Sequence, residues 1–364
     1  MFILRVHTST LVAVFLFIVL SLAESVFPVA QTSSSQPANS VTSETAERVL
    51  RIQWRSLFDA HSWTELDSLA SRVRSQRLRF QGGGWQLHVL YTILSTTSSR
   101  EETDTAWEAQ IAALQEWIRY APASPTPRIA LADTYANFAW KARGGDFADT
   151  VTPEGWRLFG DRMQKALDAL KEAEQISRGD PEWYNAMLVA TTAHDWNRAD
   201  ADALVDESLT KEPGYYYIAR IQADNLLPKW YGQPGDTETF VAHVADRIGG
   251  AEGDATYFFV AEYILTAAEK CIPCTPPTLS WARIRRGYAA IEHLYGTNNF
   301  EKNAYAFLAV HANDRETARQ AFEIIGNDWN PDVWESKARF QSGRMFPYLK
   351  PVPLAPPRGS GTTH

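Results

Sequence analysis

Apolar positions recur every three to four residues through most of the chain, the spacing that gives a helix one oily face. Leu50, Trp54, Leu57 and Phe58 fall on such a face, and after the break Asp59-Ala60-His61 the residues Leu66, Leu69, Ala70 and Val73 repeat it. Ser62 and Glu65 stand at capping-box spacing before that second stripe. Two helices joined so closely fold back on each other. Trp107, Ile111, Leu114 and Ile118 continue the pattern as far as Pro122, Pro125 and Pro127, which stop one helix before another begins. Beyond Gly144-Gly145, Phe159, Met163, Ala166, Leu167, Leu170 and Ala173 mark a long helix. Phe240, Val244 and Ile248 follow Asp236 as N-cap, and Trp281, Ile284, Tyr288, Ile291 and Tyr295 extend the series. No comparable stretch alternates as a strand would. The pattern predicts an all-α chain of about fourteen helices, mostly in antiparallel pairs.

Two of the breaks resemble one another. Asp180-Pro181-Glu182-Trp183-Tyr184 and Glu212-Pro213-Gly214-Tyr215-Tyr216 place their prolines about 32 residues apart, close to one tetratricopeptide unit. Ala306, Ala318, Phe322 and Pro331, with Asn313-Asp314 in the turn, nearly reproduce the spacing of that motif. Ala169 and Ala173 before Pro181, and Ala201 and Val205 before Pro213, occupy the corresponding sites. Small residues there let helix backbones approach closely whatever the protein binds. Such units bury their apolar faces only against neighbours, so residues 44–345 are expected to form a tetratricopeptide-like α-solenoid that presents a surface.

The two ends read differently. Arg5 precedes an apolar run from Leu11 to Ala23, too short for a comfortable membrane span and suited to a signal peptide over residues 1–23. Cleavage after Ala23 fits Ser21-Leu22-Ala23, and a cut as late as Ala30 is the other option. The expected location is periplasmic or extracellular, with an uncleaved N-terminal anchor in the inner membrane as the alternative. Residues 24–43 are poor in groups able to form a core and read as a disordered spacer. Residues 346–364, with Pro347, Pro351, Pro353, Pro356 and Pro357, read as a Pro-rich disordered tail.

A net charge of -8 argues against nucleic acid as a partner, since phosphate binding calls for clustered Lys and Arg. Arg283, Arg285 and Arg286 are the densest basic group and would diverge on a helix. Asp200, Asp202, Asp206 and Glu207 read as the wet face of another. Cys271-Ile272-Pro273-Cys274 is the one motif with an obvious chemistry. Thr275 stands where haem attachment needs His, no second pair supplies zinc ligands, and no strand precedes the motif as in thioredoxin-like sites. A local Cys271–Cys274 disulfide in an oxidising compartment is the leading reading, with two free thiols as the alternative. Gly82-Gly83-Gly84 lacks the Lys-Ser/Thr ending of a phosphate loop and reads as a turn before a helix at Trp85. His61, His88, His194, His243, His293 and His311 are scattered singly, with no hydrolase motif near them. The expectation is therefore no catalytic residue, no metal and no cofactor.

Several local motifs point to one family. They are Arg79-Phe80-Gln81-Gly82-Gly83-Gly84-Trp85, Trp140-Lys141-Ala142-Arg143-Gly144, Leu226-Leu227-Pro228-Lys229-Trp230-Tyr231-Gly232, and Asp328-Trp329 with Val333-Trp334. With these in this order, residues 44–345 resemble an uncharacterised bacterial domain-of-unknown-function family built from tetratricopeptide-like helices. Tyr231 stands where the family pattern is expected to carry Gly. The resemblance implies an exported or envelope protein and supplies no reaction, ligand or catalytic residue. Trp and Arg often anchor interfaces, which makes Trp140, Arg143, Lys229, Trp230 and Tyr231 the candidate partner-binding residues. The competing reading makes the tryptophans core wedges. The expected function is an exported binding or scaffold protein presenting a groove to a protein, peptide or glycan. The alternative is a helical enzyme, or a thiol-redox factor using Cys271 and Cys274, whose site converges only in three dimensions.

Overall fold

The computed structural model describes residues 43–348, except 100, 146–147, 194–196 and 270–275. The apolar N-terminal run, the spacer, Cys271 and Cys274 and the tail beyond Tyr348 therefore lie outside the described residues. Helix α1 (Ser43–Asp59) turns back into α2 (Trp63–Ser75), and α3 (Gln86–Leu94) and α4 (Asp104–Tyr120) follow. Next come α5 (Thr126–Arg143), α6 (Pro153–Glu172) and the single turn α7 (Glu174–Ser177). Pairs follow: α8 (Pro181–Thr192) with α9 (Arg198–Lys211), α10 (Tyr217–Asn225) with α11 (Asp236–Ile248), and α12 (Gly250–Glu269) with α13 (Trp281–Tyr295). The series ends in α14 (Asn299–His311), α15 (Arg315–Ile325), the single turn α16 (Pro331–Trp334) and α17 (Lys337–Met345). Among the described residues there is no strand, only one isolated bridge between Arg79 and Trp85.

The fold is all-α with solenoid packing, as the periodicity predicts. Among the described residues there are seventeen helices, more than the expected fourteen partly because α7 and α16 are single turns too short to leave a periodic trace. Helices α1, α3, α5, α8, α10, α12, α14 and α16 each touch the next and form an inner layer. Helices α4, α6, α9, α11, α13 and α15 pack onto it from outside. Ala306, Ala318 and Phe322 are buried where α14 meets α15. At the C-terminal end, Phe346–Tyr348 form a short 3-10 helix against α15, so the packed part outlasts residue 345.

Caps explain most helix starts. Thr103, Thr152, Asn197, Ser280 and Asp314 each accept a first-turn amide through the side chain. Ser62 makes no such bond, since its φ of -77° and ψ of 63° depart from the extended cap geometry. The capping box lies instead at Asn298 and Glu301. Gly235, not Asp236, caps α11, and Asp236 pairs with Arg198 at 2.7 Å.

One loop ties the early part of the stack to the late part. Gly82 N–H donates to the Gly296 carbonyl at 3.0 Å, Gln81 Nε2 to the Thr297 carbonyl at 2.9 Å, and Asn298 Nδ2 to the Gln81 carbonyl at 2.9 Å. Gly82 and Gly83 have φ of 89° and 85°, which disfavours any side chain. A Cβ on Gly82 would stand 2.3 Å from Glu301 Oε2, and one on Gly83 2.8 Å from the Phe259 ring. The glycines serve close packing, in a turn before the helix at Trp85, where the sequence places a turn.

Candidate functional site

The starts of the inner helices gather along this loop, and the two similar Pro-aromatic breaks meet it there. Trp85, 2% exposed, donates its indole N–H to the Gly214 carbonyl at 2.8 Å and its backbone N–H to Tyr217 Oη at 3.1 Å. Arg79 lies 4.1 Å over the Trp85 ring and 4.8 Å over Tyr295, and its guanidinium reaches Glu252 at 2.7 Å. Tyr295 donates to the same carboxylate. Buried aromatic rings with polar tips thus find partners on neighbouring repeats.

Two carboxylates at the start of α8 organise the rest. Asp180 accepts from Arg74 Nε at 2.6 Å and from Tyr91 Oη at 2.6 Å, while Arg74 also reaches Thr126 at 2.8 Å. Burial works against the Arg74 charge, and Asp180 and Tyr91 more than offset it, so its pKa is raised. Glu182 accepts from His88 Nδ1 at 3.0 Å, from Asn185 Nδ2 at 2.9 Å and from Tyr215 Oη. The His88 ring stacks 3.6 Å from Tyr217. With Nδ1 donating to a carboxylate, Nε2 has no hydrogen-bond partner among the described residues.

Asp133, on α5, has no hydrogen-bond partner among the described residues, yet it faces this cluster. Burial, then the charges of Glu182 and Asp180, push its carboxyl well above the usual carboxylate range. Further along the inner layer, Arg220 donates to the Phe259 carbonyl at 2.9 Å and to Glu262 at 3.2 Å, and stands 5.5 Å over Tyr263. Burial raises the Tyr263 phenol above its ordinary value. Beside the loop opens a pocket of about 410 Å³, bounded by Arg74, Arg77, Trp85, Tyr184, Lys211 and Glu212. Arg77 has a φ of 51°, an uncommon conformation for a side-chain-bearing residue, and pairs with Glu212 at 2.7 Å. The charged lining carries three cations against one acid.

The residues expected to bind a partner occupy two separate turns at the opposite ends of inner helices. Trp140 packs edge-on against Phe159, and buried Arg143 lies 5.3 Å from the Trp140 ring and 5.1 Å from Trp156. Desolvation lowers the Arg143 pKa. Lys229 pairs with Asp224 at 3.5 Å, Trp230 is exposed, and Tyr231 donates to the Thr192 carbonyl at 3.0 Å. Trp54, Trp63, Trp85, Trp107, Trp117, Trp183 and Trp334 are core residues, whereas Trp156 and Trp230 are exposed. Arg283, Arg285 and Arg286 diverge to Asp246, Asp314 and Asp254 respectively, and Asp202, Asp206 and Glu207 pair with Arg198, Arg247 and Arg178, as solvated faces do.

Sequence reasoning passes over His88 and Asp133 because their partners lie far along the chain. The available signal is indirect: the Arg79–Trp85 motif and both Pro-aromatic breaks end in this one cluster. Compared with known proteins, the chain matches no family model, no curated protein and no solved structure.

Proposed function

We propose that the protein is an exported α-solenoid of the cell envelope that binds a protein, peptide or glycan partner bearing an acidic group. The observation that carries this reading is the pocket of about 410 Å³ beside the docked loop, where Arg74, Arg77 and Lys211 face a single lining carboxylate on a chain of net charge -8. A site of that size and polarity on a rigid scaffold suits orientation of an anionic group. Export rests on the apolar run Leu11–Ala23, and the resemblance to the uncharacterised bacterial family belongs to the same proposal. Trp230 and Tyr231, exposed at the other ends of the inner helices, are proposed as a separate contact for a large partner.

The test is crosslinking and affinity capture from native envelopes with the parent and with an Arg77→Ala/Lys211→Ala variant. The variant should lose about tenfold in capture of the specific partner, as expected when interface anchors are removed. Equal capture by both proteins, or none by the parent, sinks the proposal.

A second reading, a helical acid–base enzyme, is favoured by His88 held on Glu182, the carboxylate whose charge helps to raise the Asp133 carboxyl. Turnover of an ester, amide or glycoside substrate that disappears in His88→Ala would support it, and turnover unchanged by that substitution would refute it.

A further inference from the structure

A second, smaller pocket of about 280 Å³ lies where α13, α14 and α15 meet, sharing no lining residue with the pocket beside the Arg79–Trp85 loop. Each helix contributes one face: Arg285 and Tyr288, then Lys302 and Tyr305, then Ala321 and Ile324 among the α15 residues. The Tyr288 and Tyr305 rings stack 3.9 Å apart with an interplanar angle of 2°, which makes a stiff back wall.

The charges in this pocket are poorly answered by the protein itself. The Lys302 ammonium has no ion pair or side-chain hydrogen bond among the described residues, although the residue is half-buried. Arg285 has Asp314 as its ion-pair partner, 3.8 Å away and beyond hydrogen-bond reach. That carboxylate is already engaged: it accepts from Trp281 Nε1 at 2.8 Å, from Thr317 Oγ1 at 2.8 Å and from Thr317 N–H at 3.0 Å. Two cations therefore face one cavity with no lining carboxylate. At its lip Ile324 is 67% exposed, an aliphatic side chain on the otherwise charged outer face of α15.

We propose that this pocket captures a carboxylate carrying a short aliphatic arm, with Lys302 and Arg285 holding the oxygens and Ile324 covering the arm. Convergent cations match an ionised carboxylate, and a bordering apolar residue adds area that a bare inorganic anion does not use. A peptide's C-terminal residue and a free branched-chain acid share this chemistry.

Calorimetric titration of the full chain distinguishes them, using an N-acetylated tripeptide ending in leucine, its C-terminal amide, and isovalerate. Saturable binding of at least one acid is expected, with affinity about tenfold weaker for the amide and about tenfold weaker for the acids in Lys302→Met, the scale of one charge-assisted contact. Tighter binding of the peptide acid than of isovalerate assigns the site to a C-terminus, and equal binding assigns it to the free acid. Ile324→Ser, an exposed substitution that leaves folding intact, should weaken binding about threefold. The Arg77→Ala/Lys211→Ala variant should bind these probes like the parent, which separates this site from the pocket beside the loop. No saturable binding of either acid, or affinities indifferent to both amidation and Lys302→Met, would overturn the proposal.

Discussion

The outer helix α15 and the inner helix α8 show how differently one periodicity is used in the two layers. On α15 Ala318, Ala321, Phe322 and Ile325 are buried, while Arg319 sits between Glu316 and Glu323 in solvent. On α8 every residue from Pro181 to Leu188 is buried, because helices on either side and an outer partner cover it. An outer helix needs one apolar stripe, and its polar residues stay in water at little cost. An inner helix has almost no wet face, so each polar residue it carries must find a partner on another repeat. That is why Asp180 and Glu182 converge with Arg74, His88, Tyr91 and Tyr215, and why chemistry concentrates in the inner layer.

The sharpest way to break this comparison is to truncate one tryptophan in each layer. Trp85→Ala removes a ring that is 2% exposed, together with its bond to Gly214 and its contact with Arg79. A cost of about 3–5 kcal/mol is expected in urea denaturation. Trp156→Ala, on outer α6 at a residue 40% exposed, should cost less than about 1 kcal/mol. Similar costs at both positions would show that the layers do not differ as argued.

The same contrast explains what could be read from the residues alone. The stripes that announce helices most clearly, Trp107 to Ile118, Phe159 to Leu170, Phe240 to Ile248 and Trp281 to Tyr295, all belong to α4, α6, α11 and α13 of the outer layer. Inner helices such as α5 and α8 are apolar on nearly every side and blur that period. The fold class and several small contact residues, Ala306 and Ala318 among them, follow from spacing. The site does not, since a His on α3 and a Glu on α8 become neighbours only after intervening repeats have stacked. The capping box was legible in form and misplaced in position: Ser-x-x-Glu at residue 62 fits, yet the backbone there turns the Ser oxygen away.

Glu301 offers a second, intermediate test on an inner helix. Burial pushes its carboxyl up to about 8, against 4.5 for an ordinary Glu, despite the Asn298 backbone N–H it accepts. Between those values the folded chain keeps a proton that the unfolded chain has released. Its contribution is therefore complete below about pH 4.5 and declines as pH rises towards 8. Glu301→Gln keeps an acceptor for the Asn298 amide and has no charge to bury. The variant should match the parent within about 1 kcal/mol at pH 5 and exceed it by about 1–3 kcal/mol at pH 9, by urea denaturation. A variant less stable than the parent at both pH values would mean that the carboxylate is ionised in place and answered by a cation.

Glu207, on outer α9, provides the smallest effect and the opposite sign. Hydrogen bonds from Arg178, then from Tyr184, hold its carboxyl down to about 2. Arg178 reaches it at 2.9 Å and 2.5 Å, and Tyr184 Oη at 2.8 Å. Since the folded value is depressed, this stabilisation is present above the ordinary 4.5 and is lost as pH falls towards 2. The side chain is 34% exposed, and water and salt screen the pair. Glu207→Gln should therefore cost only about 0.5–1 kcal/mol at pH 7 and low salt, and less at pH 3 or in molar KCl. Thermal melts under those three conditions check it. Because Tyr184 belongs to inner α8, a larger cost that persists in high salt would mean that the inner layer's polar partners extend outward through Tyr184, and the boundary between the layers would have to be drawn one helix further out.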